Sequence, residues 1–517
     1  MTAIATRLTL SDVVRARAHG NPDQPAVLDP LVSLSNADWD YWADLVSTAM
    51  RAAGVGSSER VCYLGRNRAT YPILAAAAAR VGAALVSMNW RLSAEELRHV
   101  LDDSRPCLIV AEREFHATLT DALANSRVAP KIVWIDGGAG LADLRTWTAS
   151  VKSAPSAPHH VAAGVDTVGL INYTSGTTGQ PKGVVVTTSQ LRASVTGPQL
   201  VHCDVDTRFL VMSPVFHVAG SVLVAAVAWL GGAIVLVPDA DPLEIATAVA
   251  RFGVTDAMLV PALISAVMKD ERIAPQAFSG LRTLSYGASP ISQPTLEKMT
   301  KWFGDVDFVQ GYGLSETVGP ICTLTADDHR RGGRILQSAG RPLPGVEVKV
   351  VDPQTKVEVA AGEVGEIWIR SDQNCAGYWC RPTATAELFV KGWLRTGDLG
   401  RIDEGYVYLC GRLKDLIITG GENVYASEVE AVLARQPGVA ECCVVGVPDE
   451  RWGETIVAAV VAETGCAVDA ATLIAACRSR LARYKCPTEI RFVSELPRNA
   501  TGKVLSRLVR ETWFFSD

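Results

Sequence analysis

The sequence predicts an α/β fold divided into two or more domains, and three observations carry that expectation. Residues 166–320 alternate short apolar runs with amphipathic ones in regular succession, the pattern of parallel βαβ units. After about residue 338 the pattern shortens into alternating runs parted by Gly, Pro and Asp, which reads as an antiparallel, barrel-like β subdomain. The final hundred or so residues alternate helix and strand again, with enough apolar positions for a small α+β core of their own. At 517 residues the chain also exceeds what one core usually organises.

Taken in order, residues 1–160 read as α/β, with Ser93 and Glu96 forming a capping box for the helix that follows. They end in a Pro/Ser-rich connection, KSAPSAPHH. A short apolar strand is expected at 168–173 (VGLINY), then small and hydroxyl-bearing residues, with helical character resuming only around Ser189. Strands at 208–212, 233–237, 257–260, 282–286 and 306–309 alternate with helices at 221–230, 242–251, 261–269 and 293–303. The runs VEVKVV, GEIWIR and GYVYLCGR mark the β subdomain across 339–411. Beyond Gly411-Arg412-Leu413-Lys414-Asp415 come a helix at 427–434, opened by Ser427 and Glu430 as a capping box, strands at 441–447 and 455–461, and a helix at 469–482.

Composition narrows the function classes. Hydrophobic residues make up 48% and charged residues 20%, as in ordinary globular proteins, and a net charge of −6 with no Lys/Arg block argues against nucleic-acid binding. The twelve cysteines are scattered from Cys62 to Cys486 with no C-x-x-C, so they read as reduced packing residues of a cytoplasmic protein. The N-terminus has no apolar signal region. Val218 to Val237 is 20 residues long without a charge, nominally enough to span a bilayer, but Gly231-Gly232 divides it. A buried helix, a turn and a core strand explain it better, so no integral membrane segment is expected.

Five stretches carry chemistry. Residues 173–184, Tyr-Thr-Ser-Gly-Thr-Thr-Gly-Gln-Pro-Lys-Gly-Val, combine glycines, hydroxyls and one Lys, a composition that wraps phosphates. It is not the common P-loop: counted from Gly176, that motif needs glycine at 181 and a hydroxyl after the lysine, whereas the chain has Pro181, Lys182 and Gly183. Gln310 to Thr317 (QGYGLSET) places a carboxylate, hydroxyls and an aromatic ring directly after a predicted strand. Gly392 to Gly400 offers Asp398, Gly411 to Glu430 carries a glycine pair, and Pro497 to Lys503 sets a lysine on a Gly turn near the end of the chain. Read alone, each is a turn, a cap or a solvated tip.

Together, in order and at these separations, they resemble the motif series of the adenylate-forming superfamily, in the form carried by its acyl-CoA synthetases, from about residue 20 to 510. That resemblance implies an N-terminal adenylation domain, 1–412, and a small mobile C-terminal domain, 413–517. It also implies a two-step reaction with ATP, Mg2+ and coenzyme A: a carboxylate attacks the α-phosphate, then the acyl-adenylate passes to the thiol. Thr174, Ser175, Gly176, Thr177, Thr178, Gly179 and Lys182 would hold the β- and γ-phosphates, and Glu316 the metal. Ser315, where relatives often have Thr, would contact the α-phosphate. Tyr312, between Gly311 and Gly313, would flank adenine together with Gly287, Ala288 and Ser289, while Asp398 and Arg412 hold the ribose. Lys503 would bridge the carboxylate and α-phosphate from the small domain, Lys414 would be the hinge, and Gly420 and Gly421 would line the pantetheine channel.

His217 falls where amino-acid-activating relatives place Asp, which argues against an amino-acid substrate. The expected pocket segments, 217–223, 258–266 and 286–290, contain no Asp, Glu, Lys or Arg, so the acid should be apolar beyond its carboxylate. IITGGENVYASEVE looks like the CoA-ligase form, with Ala426 where many relatives have Pro; a carrier protein is the alternative acceptor. The expected partners are a small-molecule carboxylic acid and coenzyme A, a homodimer is the expected form of self-association, and no nucleic-acid partner is expected.

Overall fold

The computed structural model describes residues 8–136, 140–150, 166–174, 180–196, 203–289, 291–463, 465–498 and 504–514. Two sheets with parallel centres face one another across a shared layer of helix. The first runs in the order Gly377–Tyr378, Lys182–Thr187, Val168–Thr174, Ala84–Ser87, Arg60–Leu64, Leu108–Glu112, Lys131–Ile135, parallel from Val168–Thr174 onward. The second has nine strands among the described residues. Its parallel centre runs from Asp307–Leu314 through Thr283–Gly287, Asp256–Leu259, Arg208–Val211 and Ala233–Leu236 to Pro25–Asp29.

Between the sheets lies the helix Val218–Leu230. Its apolar residues share one core with Leu170, Val184 and Val186 of the first sheet and Phe209, Val211 and Ile234 of the second. Burial on two sides explains why this segment is uncharged. Gly231, at φ +96°, caps the helix in the left-handed region, and the strand Ala233–Leu236 follows, so the divided apolar run is a core helix and strand as expected. Among the described residues no helix is long and apolar enough to cross a membrane.

Residues 347–412 form the antiparallel sheet that the short alternating runs foretold. The C-terminal residues build their own sheet, with the long hairpin Val439–Asp449 and Gly453–Ala462 at its centre, and two apolar clusters of their own.

Three local expectations are corrected. The stretch after the 168–174 strand does not run straight into a helix: Lys182–Thr187 folds back antiparallel, Thr174 opposite Lys182, before the helix Thr188–Thr196. Its β-branched run, Val184-Val185-Val186, belongs to the sheet rather than to the loop. The strand expected at 306–309 continues through Gly313 to Leu314, so the Gly-rich motif forms the strand's end, with a register shift between Tyr312 and Gly313. Ser93 and Glu96 do form a capping box, but Ser427 and Glu430 do not. Ser427 Oγ instead donates to the Cys410 carbonyl at 2.6 Å, and Glu430 accepts from the Val444 amide at 2.9 Å.

Candidate active site

A cavity of about 720 Å³ opens along the 218–230 helix. Val218, Val222, Ala226 and Leu230 line it from one stripe of that helix, spaced four residues apart. At ~1.5 Å per residue the stripe is about 18 Å long. Phe209 and Met258 of the nine-stranded sheet and Val195 complete an apolar wall. At the other end the lining turns polar, with Thr174, Lys182, Ser315, Glu316, Arg412 and Lys414.

The polar end begins at the 168–187 hairpin, where Thr174 Oγ1 donates to the Lys182 carbonyl at 3.4 Å. Lys182 Nζ sits 5.1 Å from the ring centre of Tyr378, whose hydroxyl donates to Glu316 Oε1 at 2.7 Å. Burial and the Glu316 charge raise the Tyr378 pKa, keeping that proton in place. No local motif marks Tyr378. Pairing of Gly377 and Tyr378 with Val185 and Val184 brings it there from nearly 200 residues away. Ser175, Gly176, Thr177, Thr178, Gly179 and Lys503 lie outside the described residues.

Gly287 pairs with Gly311, which lines the cavity. A Cβ on Gly287 would stand 2.3 Å from the Gly311 carbonyl, and one on Gly313 would stand 2.1 Å from that of Gly319, so neither position admits a side chain. Ala288 lines the cavity at φ +63°, a left-handed conformation that non-glycine residues adopt mainly where the surroundings enforce it. Ser289 follows it, half-buried and outside the lining.

Tyr312 is not among the residues lining the cavity. It is buried against Ile321, Ile367 and Val407, and its hydroxyl donates to Asp398 Oδ2 at 2.7 Å. Arg412 Nε pairs with Asp398 Oδ1 at 2.9 Å. Tyr312 thus supports the Asp398–Arg412 pair from beneath. Gln310 Oε1, on the same strand, is buried with no hydrogen-bond partner.

His217, the residue preceding the 218–230 helix, lines the cavity. Burial, with a smaller effect from Arg91, lowers its pKa to about 4, so the imidazole is neutral at physiological pH. Its Nε2 is buried without a hydrogen-bond partner. Gly220 is required one turn on, because a Cβ there would approach the Pro214 carbonyl to 2.3 Å. Charged residues outside the expected pocket segments also line the cavity: Glu366 and Arg395 pair at 3.0 Å, and Glu387 is exposed. The apolar wall itself carries no charge.

Lys414 lines the cavity beside Arg412, and burial lowers its pKa. Gly420 and Gly421 are elsewhere, in the turn between the strands Ile417–Thr419 and Glu422–Val424, with φ of +59° and +85°. The Gly420 amide donates to the Trp452 carbonyl at 2.7 Å.

These residues fit a nucleoside triphosphate. Lys182, Arg412 and Lys414 supply positive charge, and Gly311 and Gly313 line the cavity with bare backbone. Among the described residues no cluster of three His, Cys, Asp or Glu could hold a metal by itself. Mg2+ here would rest on Glu316 and phosphate oxygens, as that ion commonly does.

Comparison with known proteins identifies the family. A family profile described as AMP-binding enzyme matches residues 14–379. The chain belongs to the AMP-binding enzyme family. The family's C-terminal domain profile matches residues 428–503. Curated members include the fatty acid–acyl-carrier-protein ligase ScoC of Streptomyces coeruleorubidus, 35% identical over 98% of this chain and 96% of that protein. Feruloyl-CoA synthase of an Amycolatopsis species is 36% identical over 96% of this chain and 97% of its own. Among solved members, ATP-bound MatB from Rhodopseudomonas palustris superposes with a TM-score of 0.86 at 28% identity, covering 98% and 99% of the two chains.

Proposed function

We propose that the chain is an AMP-forming acyl-CoA synthetase for a carboxylic acid with a largely apolar body. One observation carries the reading: a single cavity joins a cationic, glycine-walled end to an uncharged groove along the 218–230 helix. The reaction it suits is the joining of two anions. A carboxylate oxygen bonds to the α-phosphorus of ATP while the bond to the β-phosphate oxygen breaks, releasing pyrophosphate. Catalysis of that step is alignment and charge neutralisation.

In this reading Lys182 and the 175–179 segment hold the outer phosphates, with Glu316 fixed by Tyr378 as the ligand to the metal. Asp398 and Arg412 take the ribose. Neutral His217 orients the acid without neutralising it. Lys503, from the C-terminal domain, lies between carboxylate and α-phosphate. The thiol of coenzyme A then attacks the acyl carbon; a C–S bond forms, the C–O bond to AMP breaks, and the thiol proton leaves to solvent. The domain division proposed is 1–412 and 413–517, with Lys414 the hinge and Gly420-Gly421 the thiol channel. All twelve cysteines are free thiols, in keeping with the reducing cytoplasm.

Acid-dependent pyrophosphate release, followed by a thioester that appears only with coenzyme A, tests the proposal. A broad acid panel that never frees pyrophosphate refutes it. Loading of a carrier protein is the second reading, favoured by the resemblance to ScoC; thioester formation with holo-carrier and none with coenzyme A would establish it.

A further inference from the structure

Two buried polar groups of the cavity lining have no hydrogen-bond partner. Asn172 lies on the 168–174 strand two residues before Thr174, on the face toward the 218–230 helix, and is 2% exposed. Its Nδ2 donates to Ser221 Oγ at 3.2 Å. The Ser221 hydroxyl directs its own proton to the His217 or Val218 carbonyl, each at 3.2 Å, so the amide must be the donor of the pair. Asn172 Oδ1 is therefore an acceptor that receives nothing. Across the cavity, Ser285 stands two residues before Gly287 on the strand Thr283–Gly287; it is 6% exposed and its Oγ has no partner.

Strand geometry fixes where these groups lie. At ~3.3 Å per residue, each is about 6–7 Å below the level of Thr174 and Gly287, where the nucleotide would sit. Both residues line the cavity, among Phe209, Val222 and Met258. An unfilled acceptor in an apolar wall is disfavoured unless a ligand fills it. The reacting carboxylate has no proton to give Asn172 Oδ1. An ammonium finds no counter-charge in the segments around these two groups, since 217–223, 258–266 and 286–290 contain no Asp or Glu, and the carboxylates of the cavity stand at Glu316, Glu366 and Glu387.

We propose that the acid carries a hydroxyl about two to four bonds from its carboxyl carbon, a reach compatible with one strand repeat below the nucleotide, and that Asn172 and Ser285 select for it. Asn172 accepts the hydroxyl proton, and Ser285 either donates to the hydroxyl oxygen or accepts in its turn. This rests on the acid-activating reading given above and adds the substrate class.

The test is acid-dependent ATP–pyrophosphate exchange with matched pairs: 3-hydroxydecanoate against decanoate, and 2-hydroxybenzoate against benzoate. The wild type should favour the hydroxylated member of at least one pair by roughly 10- to 100-fold in kcat/KM, since a buried polar site rejects the analogue that leaves it unpaired. In Asn172→Leu and in Ser285→Ala that ratio should fall toward one, mainly through KM. Ser285→Ala alone decides the matter should the leucine variant not fold. Equal use of both members of each pair by the wild type, or a preference that survives in the variants, overturns the proposal while leaving the adenylating reading intact. No exchange with any acid overturns both.

Discussion

Titration of His217 gives a stability effect whose size follows from its surroundings. The ring is buried between the two sheets with no partner at Nε2, and its pKa falls from the ordinary 6.5 to about 4. Between those two values the unfolded chain binds a proton that the folded chain does not. Stability from this residue is therefore complete above the unfolded pKa and is lost as the pH falls toward and through the folded one. The full loss is about 3 kcal/mol, and about 2 kcal/mol is already gone at pH 5.

Other buried groups act in the opposite sense. Burial raises Glu112 and Glu430 to about 7, so the folded chain holds protons there that the unfolded chain releases. Comparison with His217→Phe cancels their effects. Urea denaturation of both proteins at about pH 7.5 and pH 5 should show the wild type losing about 2 kcal/mol more than the variant. Parallel losses in the two proteins would refute the assignment of a neutral, partnerless imidazole.

Four further outcomes are expected. Gly220→Ala should destabilise by about 1–3 kcal/mol in a thermal melt and raise the KM for the acid, because the methyl group meets the Pro214 carbonyl at 2.3 Å. Tyr312→Phe should cost about 1.5–3 kcal/mol in urea denaturation and raise the KM for ATP, by removing the hydroxyl that donates to Asp398. Glu316→Gln should lower pyrophosphate exchange by about 100-fold or more, with an increased Mg2+ requirement. Lys503→Ala should cripple adenylation yet spare thioester formation from supplied acyl-adenylate, and equal loss of both half-reactions removes that division of labour; Lys414→Pro should impair thioester formation more than adenylation, and unchanged rates in both remove the hinge.

Much of the fold was legible because its signals are local. Alternating apolar runs marked the parallel strands from Arg208–Val211 to Asp307–Leu314 within a few residues, and the uncharged 218–237 run read correctly as helix and strand. The misreadings share a cause in competition from tertiary partners. The Lys182–Thr187 strand hid behind the glycine-rich loop until its pairing with Val168–Thr174 was seen. Ser427 and Glu430 have capping-box spacing, but a carbonyl of the neighbouring 406–412 strand and an amide of the 439–449 strand claim their side chains. The Tyr312 hydroxyl, too, finds Asp398 from 86 residues away, a pairing that no local pattern records.

Sequence by itself determined the chemistry to be sought: phosphate-wrapping glycines and hydroxyls, one metal-competent carboxylate and a neutral His in place of an acid, each written in a short contiguous motif. Tertiary structure alone decided what stands across from what. Tyr378 reaches Glu316, Asp398 finds Tyr312, and Asn172 and Ser285 face one cavity only after sheets distant in the chain are brought together. Local pattern records which face a side chain takes, because strand and helix periods are fixed by the backbone. It does not record the partner on that face, since partners are chosen by packing between elements whose separation along the chain leaves no periodic trace.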